Sequence, residues 1–162
     1  MEQTKWILIL RGFVLLTGIV GCALYLGSIA VFIVMNAMVK KHSSVQAIYW
    51  QRMFLSNILS LCTIPGICIL TVSCFASAHL QPHPMRTNLA IAGVLNGLIV
   101  VNAFFFLSPL IKKVSAIAVE QMKTSAVIPA YSSLKKTEDR LGMVSVILLV
   151  TSLLLICFQP FG

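Results

Sequence analysis

The sequence predicts an all-α protein that lies in a membrane as a bundle of four helices. Of its 162 residues, 59% are hydrophobic and 10% are charged, and the mean hydropathy is +0.98. Soluble globular chains carry about a quarter charged residues, so this composition cannot cover a surface exposed to water. Four stretches without charged residues are each long enough to cross a hydrocarbon core of about 30 Å as a helix of about 20 residues. We therefore expect the whole chain, residues 1–162, to form a single membrane domain.

The first two predicted spans cover residues 12–39 and about 53–78, and a basic residue precedes each of them. Both must be helical, because lipid cannot satisfy unpaired backbone groups and neither run shows the alternation of a barrel strand. The 28 residues of the first span allow it to cross with tilt. Pro65 and Gly66 lie in the middle of the second span and predict a kink there.

The third and fourth predicted spans cover about 88–111 and 141–158. No proline or glycine interrupts residues 112–128, so we expect the third helix to extend into the cytoplasm as an amphipathic helix. This extension either lies on the lipid surface or projects against a partner protein, and we favour projection. Thr137, followed by two acidic residues, has the pattern of an N-cap and predicts the start of the fourth helix.

Basic residues are distributed unequally between the two ends of the predicted helices. Nine lie in the connections 40–52 and 112–140, whereas three lie near the N-terminus and in the loop 79–87. Because cytoplasmic connections are enriched in lysine and arginine, we expect both connections in the cytoplasm, with the loop 79–87 and both termini outside it. The expected location is a bacterial inner membrane. The lysines expected to contact anionic lipids or a partner protein are Lys40, Lys41, Lys112, Lys113 and Lys123.

Residues 38–45 and 110–117 share a pattern of an apolar pair, a lysine pair and then a serine. The pattern follows the first and third spans, at the same face of the membrane. It indicates two helical hairpins related by a parallel repeat. The alternative is that any two spans that end at the cytoplasmic face tend to end in lysines, and the sequence leaves both interpretations open.

Helix packing in lipid depends on small residues and on interhelical hydrogen bonds, because lipid tails are as apolar as leucine. Gly93 and Gly97 form a GxxxG motif in the third span, and Ala23 and Gly27 repeat the spacing in the first. Asparagine side chains in the spans are expected to face protein, since an unpartnered amide in hydrocarbon is costly. The residues expected at helix contacts are Gly18, Gly21, Ala23, Gly27, Asn57, Gly93, Asn96, Gly97 and Asn102.

The predicted spans contain no Asp, Glu, Lys, Arg or His. The four acidic residues, which include Glu138 and Asp139, are expected at the surface. Proton relays, ion-coupled transport and intramembrane proteolysis place ionisable groups inside the bundle, so the sequence disfavours all three, and it predicts no catalytic residue. The formal charge of +8 does not indicate nucleic-acid binding, because the basic residues cluster between apolar runs.

The loop between the second and third spans contains His79, His83 and Met85. Two imidazoles and a thioether suit copper, but the prolines in the loop preclude a regular helix and the spacing predicts no geometry, so we favour a solvated turn. A haem held by this chain alone is disfavoured, because its histidines lie at or beyond the ends of the spans. No cofactor is therefore predicted for this chain alone. The five cysteines show no CxxC spacing, and the pairing of Cys74 with Cys157 near the outer face stays open.

The layout resembles that of the small four-helix integral membrane proteins of the copper-resistance D type, a poorly characterised family. The shared features are a glycine-bearing first span that ends in basic residues, Arg52 at the opening of the second span, and a long cytoplasmic stretch before the last. The resemblance covers most of the chain and implies a four-helix membrane fold. Members often carry histidines near the outer ends of helices, where this chain has His79 and His83 in a loop, so no functional residue is carried over.

Three functions follow from these observations. The leading hypothesis is a non-catalytic accessory or structural subunit of a larger membrane complex, such as a respiratory or other energy-transducing assembly, with other integral membrane proteins as partners. The first alternative is a small oligomeric transporter or channel with a path lined by Asn57, Ser60, Asn96 and Asn102. The second alternative is a metal- or cofactor-binding membrane protein that uses the outer histidines.

Overall fold

The computed structural model describes residues 2–42, 44–81, 85–124 and 130–157, which form four long helices. The fold is an all-α four-helix bundle, as the sequence predicts, and each helix is long and apolar enough to cross a membrane. The first span is α1 (Glu2–His42), and the second consists of α2 (Val45–Ile58), the π-helical turn π1 (Leu59–Thr63) and α3 (Ile64–Leu80). The third consists of α4 (Met85–Val101), the π-helical turn π2 (Asn102–Leu107) and α5 (Ser108–Thr124), and the fourth is α6 (Ala130–Cys157).

Each of the two middle spans contains a π-helical turn that ends two residues before a proline, Pro65 in the second span and Pro109 in the third. Proline has no N–H, and its ring collides with the carbonyl group four residues earlier, so a regular α-helix cannot continue undisturbed. The π turn changes the hydrogen-bond spacing there: the Ile64 N–H donates to the Leu59 carbonyl, five residues earlier. The disturbance expected near Pro65 therefore takes the form of a π turn, and a second one precedes Pro109.

The helices pack in chain order, α1 on α3, α3 on α4 and α4 on α6. Glycines bring the backbones of α1 and α3 together: a Cβ atom on Gly21 would lie 2.8 Å from the Leu70 nitrogen, and one on Gly66 would lie 2.9 Å from the Tyr25 nitrogen. No side chain fits at either position without a shift of the backbone. The buried core beside this contact consists of Tyr25, Ile67, Leu70, Cys74, Ile99 and Leu149.

Polar side chains link the helices by hydrogen bonds to backbone and side-chain oxygens. Ser73 Oγ on α3 donates to the Val14 carbonyl on α1 at 2.6 Å. Asn102 Nδ2 donates to α6, to the Leu141 carbonyl at 3.1 Å and to Ser145 Oγ at 2.8 Å. Such bonds stabilise helix contacts in lipid, where no water competes for the donors.

The fourth helix begins at Ala130, seven residues before the N-cap that the sequence predicts at Thr137. The Thr137 hydroxyl donates to the Ser133 carbonyl at 3.2 Å, one turn earlier, so Thr137 lies inside α6 and the predicted N-cap is wrong. The shift matters for the site, because the acidic residues at 138 and 139 now belong to the interior of a helix that faces the bundle.

Candidate functional site: a cavity between the first and last helices

A cavity of about 340 Å³ lies between α1 and α6. It occupies the half of the bundle near the helix ends that carry Arg52, Lys112 and Arg140, which we call the lysine end; the opposite end is the His79 end. Its volume falls within the range of about 300–1,000 Å³ that is common for small-molecule sites. The lining residues are Tyr25, Ser28, Ile29, Phe32, Ile33, Leu55, Ile58, Leu59, Thr63, Leu107, Ile111, Glu138, Asp139, Gly142, Met143, Ser145 and Val146.

The walls of the cavity are mainly apolar and include both π-helical turns. Leu59 and Thr63 belong to π1, and Leu107 belongs to π2. π-helical turns alter the direction of the side chains that follow them and are frequent at functional sites. The cavity therefore lies where the second and third spans both depart from regular α-helix.

A buried ion pair stands at one wall of the cavity. Arg52 Nη1 on α2 donates to both carboxylate oxygens of Glu138 on α6, at 2.7 and 2.6 Å, and both side chains are 1% exposed. Arg52 Nε donates to the Tyr131 hydroxyl at 3.2 Å, and the guanidinium carbon lies 5.6 Å from the centre of the Tyr131 ring. Arg52 Nη2 is buried and has no hydrogen-bond partner among the described residues. Glu138 is one of the residues that line the cavity, whereas Arg52, which binds Glu138, does not line it.

This pair corrects two expectations from the sequence. Glu138 was expected at the surface, but it is 1% exposed. The spans were expected to hold no ionisable residue, but Arg52 and Glu138 are both inside helices that cross the bundle. The predicted span boundaries had excluded them, because Arg52 opens the second apolar run and Glu138 precedes the last.

Few polar groups accompany the carboxylates. Ser28 and Ser145 line the cavity with their oxygens already engaged: Ser28 Oγ donates to the Tyr25 carbonyl at 2.7 Å, and Ser145 Oγ accepts from Asn102. On the α6 wall, a Cβ atom at Gly142 would meet no atom within 4 Å. An apolar chamber with a few polar groups at one end can bind the apolar body of a ligand and orient its polar head.

The residues expected at helix contacts fall into two groups. Gly18, Gly21 and Gly93 pack against α3, and Asn96 and Asn102 are buried. Ala23 and Asn57, by contrast, are exposed, and a Cβ atom on Gly27 or Gly97 would meet nothing within 4 Å.

Asn57 therefore does not face protein within this chain, and Gly97 does not complete a close GxxxG contact with another described helix. The close approach of two helix backbones occurs instead between α1 and α3, at Gly21 and Gly66. The Asn96 amide donates to Cys74 Sγ at 3.5 Å, and Asn102 donates to α6. Asn57, Ser60, Asn96 and Asn102 are not among the residues that line the cavity between α1 and α6.

The residues suggested for metal and lipid binding are only partly described. His79 is exposed, whereas His83 and the side chain of Met85 lie outside the described residues. No group of three or more His, Cys, Asp or Glu side chains gathers among the residues that the structure describes. Lys112, Lys113 and Lys123 are exposed, and the side chains of Lys40 and Lys41 lie outside the described residues. Cys74 and Cys157 are free thiols, so the disulfide that the sequence left open is not formed.

No known protein family, curated protein or solved structure matches the chain.

Proposed function

We propose that the chain is a small membrane transporter that takes a lipophilic or amphipathic small molecule into the cavity between α1 and α6. The observation that carries the proposal is the position of the cavity: the two π-helical turns and a buried ion pair all border it. π-helical turns inside long helices are frequent at functional sites.

The proposed route runs from the bilayer into the gap between the first and last helices. Few residues of α1 and α6, the first and last helices, approach each other closely. The spans that are neighbours in the sequence are all tightly packed. An apolar ligand dissolved in lipid reaches such a gap without crossing water. The Arg52–Glu138 pair fastens α2 to α6 at the lysine end, which makes it the contact that must rearrange for the cavity to open toward that end.

The test is a ligand screen on purified protein in mild detergent, with Gly142→Leu as the variant that fills the cavity. A ligand of the cavity should raise the midpoint of thermal unfolding of the unaltered protein but not that of Gly142→Leu. Gly97→Leu is the matched control, because Gly97 has equal space around it and does not line the cavity. Flux of the ligand in proteoliposomes should then persist in Gly97→Leu and disappear in Gly142→Leu. A screen in which no compound distinguishes the two variants would contradict the proposal.

A second candidate function is that of an accessory subunit in a larger membrane complex, and one observation favours it. Asn57 is exposed on α2, five residues from Arg52, and its side-chain amide makes no hydrogen bond to a described residue. An amide on a lipid-facing surface is costly, and a hydrogen bond to another membrane protein removes that cost. Asn57→Leu should then release a co-purifying protein without loss of folding. Migration of the unaltered protein as a lone monomer on native gels, with no partner in the eluate, would exclude this role.

The proposed setting is a bacterial inner membrane, with both termini outside the cytoplasm. The proposal rests on the nine-to-three distribution of basic residues between the two ends of the helices. Lys112, Lys113 and Lys123 are exposed on α5 and available to anionic lipid headgroups at the lysine end.

A further inference from the structure

We infer that the ligand of the cavity between α1 and α6 is a lipophilic cation, an inference that rests on the proposed function and names its substrate class. Two residues with carboxyl groups line the cavity, Glu138 and Asp139. Among the described lining residues there is no lysine, arginine or histidine. The apolar walls require a ligand with a large apolar surface, and the two carboxylates determine the sign of its charge.

The described residues that line the cavity include two carboxylates and no basic side chain. Arg52 offsets Glu138 by direct contact of Nη1 with both carboxylate oxygens. That leaves Asp139, one position further along α6, which lines the cavity and is also exposed. Arg140 follows in the chain but does not line the cavity. The charged group of the lining that Arg52 does not pair is therefore negative, which favours a positively charged ligand, and the apolar walls screen that attraction less than water would.

Ligand size and desolvation select the kind of cation. A small hydrated cation would lose its water among Ile, Leu, Phe and Val side chains without gaining enough ligands in return. A cation whose charge is spread over a bulky apolar frame loses little hydration and gains apolar contact with Phe32, Leu55 and Ile58. Glu138 adds a second attraction, because an approaching cation can interact with the same carboxylate that accepts hydrogen bonds from Arg52.

The experiment uses two ions of the same shape and opposite charge, tetraphenylphosphonium and tetraphenylborate. Equilibrium dialysis against purified full-length protein in mild detergent measures the binding of each. Lipophilic ions also enter micelles, so specific binding is the part that Gly142→Leu removes and Gly97→Leu retains. The cation should bind at least about tenfold more tightly than the anion, as expected for one unit charge a few ångströms away in a medium less polar than water.

Asp139→Asn tests the source of the preference. Asp139 is exposed and outside the Arg52–Glu138 contact, so this variant should fold normally, which circular dichroism and the thermal midpoint will verify. Affinity for tetraphenylphosphonium should fall about tenfold, and affinity for tetraphenylborate should stay the same or rise.

The possible results separate this inference from the proposed function. Specific binding of both ions with equal affinity, or preference for the anion, overturns the charge preference and leaves a ligand site in the cavity. A cation preference that survives Asp139→Asn overturns the role of that carboxylate. Binding of either ion that is the same in Gly142→Leu as in the unaltered protein removes the cavity as a ligand site, and the proposed function fails with it.

Discussion

Arg52 and Glu138 are 86 residues apart in the chain, yet one guanidinium nitrogen of Arg52 donates to both carboxylate oxygens of Glu138, at 2.7 and 2.6 Å. Attraction between the two charges is strong away from water, but the loss of their hydration offsets much of it. The main effect of the contact is therefore to align α2 with α6 at one register. Because Glu138 also lines the cavity, the same contact sets the shape of one cavity wall.

Removal of one partner of this pair should destabilise the protein more than removal of both. Glu138→Gln leaves the Arg52 guanidinium buried without a counter-charge, and such changes cost about 3–5 kcal/mol. The double variant Arg52→Met, Glu138→Leu should recover most of that loss, because it leaves no buried charge. The measurement is the free energy of unfolding in mixed micelles, with Arg140→Met as a control at an exposed neighbouring position. Equal stability of Glu138→Gln and Arg140→Met would show that the pair is not shielded from water.

Alanine at Gly21 or Gly66 should destabilise the contact of α1 with α3. A Cβ atom at either position would lie under 3 Å from a backbone nitrogen of the facing helix, so the helices must move apart. Alanine at Gly12 or Gly97 meets no atom within 4 Å and should raise stability by up to about 1 kcal/mol, because alanine favours helix.

Thermal unfolding in detergent checks this pattern for the four glycines. The four variants share one chemical change and differ in the space around it. If all four shifted the midpoint in the same direction, the close approach of α1 and α3 would be contradicted.

Replacement of Asn102 by leucine should weaken the attachment of α6. The variant loses two hydrogen bonds, to the Leu141 carbonyl and to Ser145, and interhelical bonds of this kind contribute about 0.6–2 kcal/mol. Asn57→Leu is the matched control, because Asn57 is exposed and makes no hydrogen bond of its side chain to a described residue. Titration with a denaturing detergent should separate the two variants, with Asn57→Leu close to the unaltered protein.

Cysteine labelling tests the proposed orientation. Lys5 and Lys123 are exposed and lie at opposite ends of the bundle. In a cysteine-free background, Lys5→Cys should react with a membrane-impermeant maleimide in intact cells, since the N-terminus is proposed to lie outside the cytoplasm. Lys123→Cys should react only after the cells are permeabilised. The opposite labelling pattern would reverse the orientation.

The number and kind of helices could be predicted from the sequence, because the length of an apolar run is a local property. Helix ends are harder to predict, and α6 shows why. Thr137 and the acids after it match an N-cap, but Pro129 precedes Ala130 in the sequence, and proline favours the first turn of a helix. The extra turns of the longer helix add a contact with α2, because they contain Tyr131, whose hydroxyl accepts a hydrogen bond from Arg52 Nε.

The contacts across the bundle could not be predicted in the same way. Arg52 and Glu138 lie in segments that the sequence assigns to connections, and nothing local links residues so far apart. A signal was present nevertheless: an arginine and a glutamate both lie at the lysine end, and ionisable residues next to apolar spans tend to pair. Asn57 was expected to face protein but is exposed, because composition alone does not reveal which face of a helix meets protein.

The close contact of α1 with α3 has a consequence for the order in which the chain assembles. Gly21, Gly66 and the Ser73–Val14 hydrogen bond all belong to the first 80 residues, so this hairpin can form while the rest is still being synthesised. Arg52 belongs to the same hairpin, but the glutamate that neutralises it emerges 86 residues later. Until then its guanidinium group must remain among the lipid headgroups. The half of the nascent protein at the lysine end is thus incomplete until the last helix has been synthesised and packs against it.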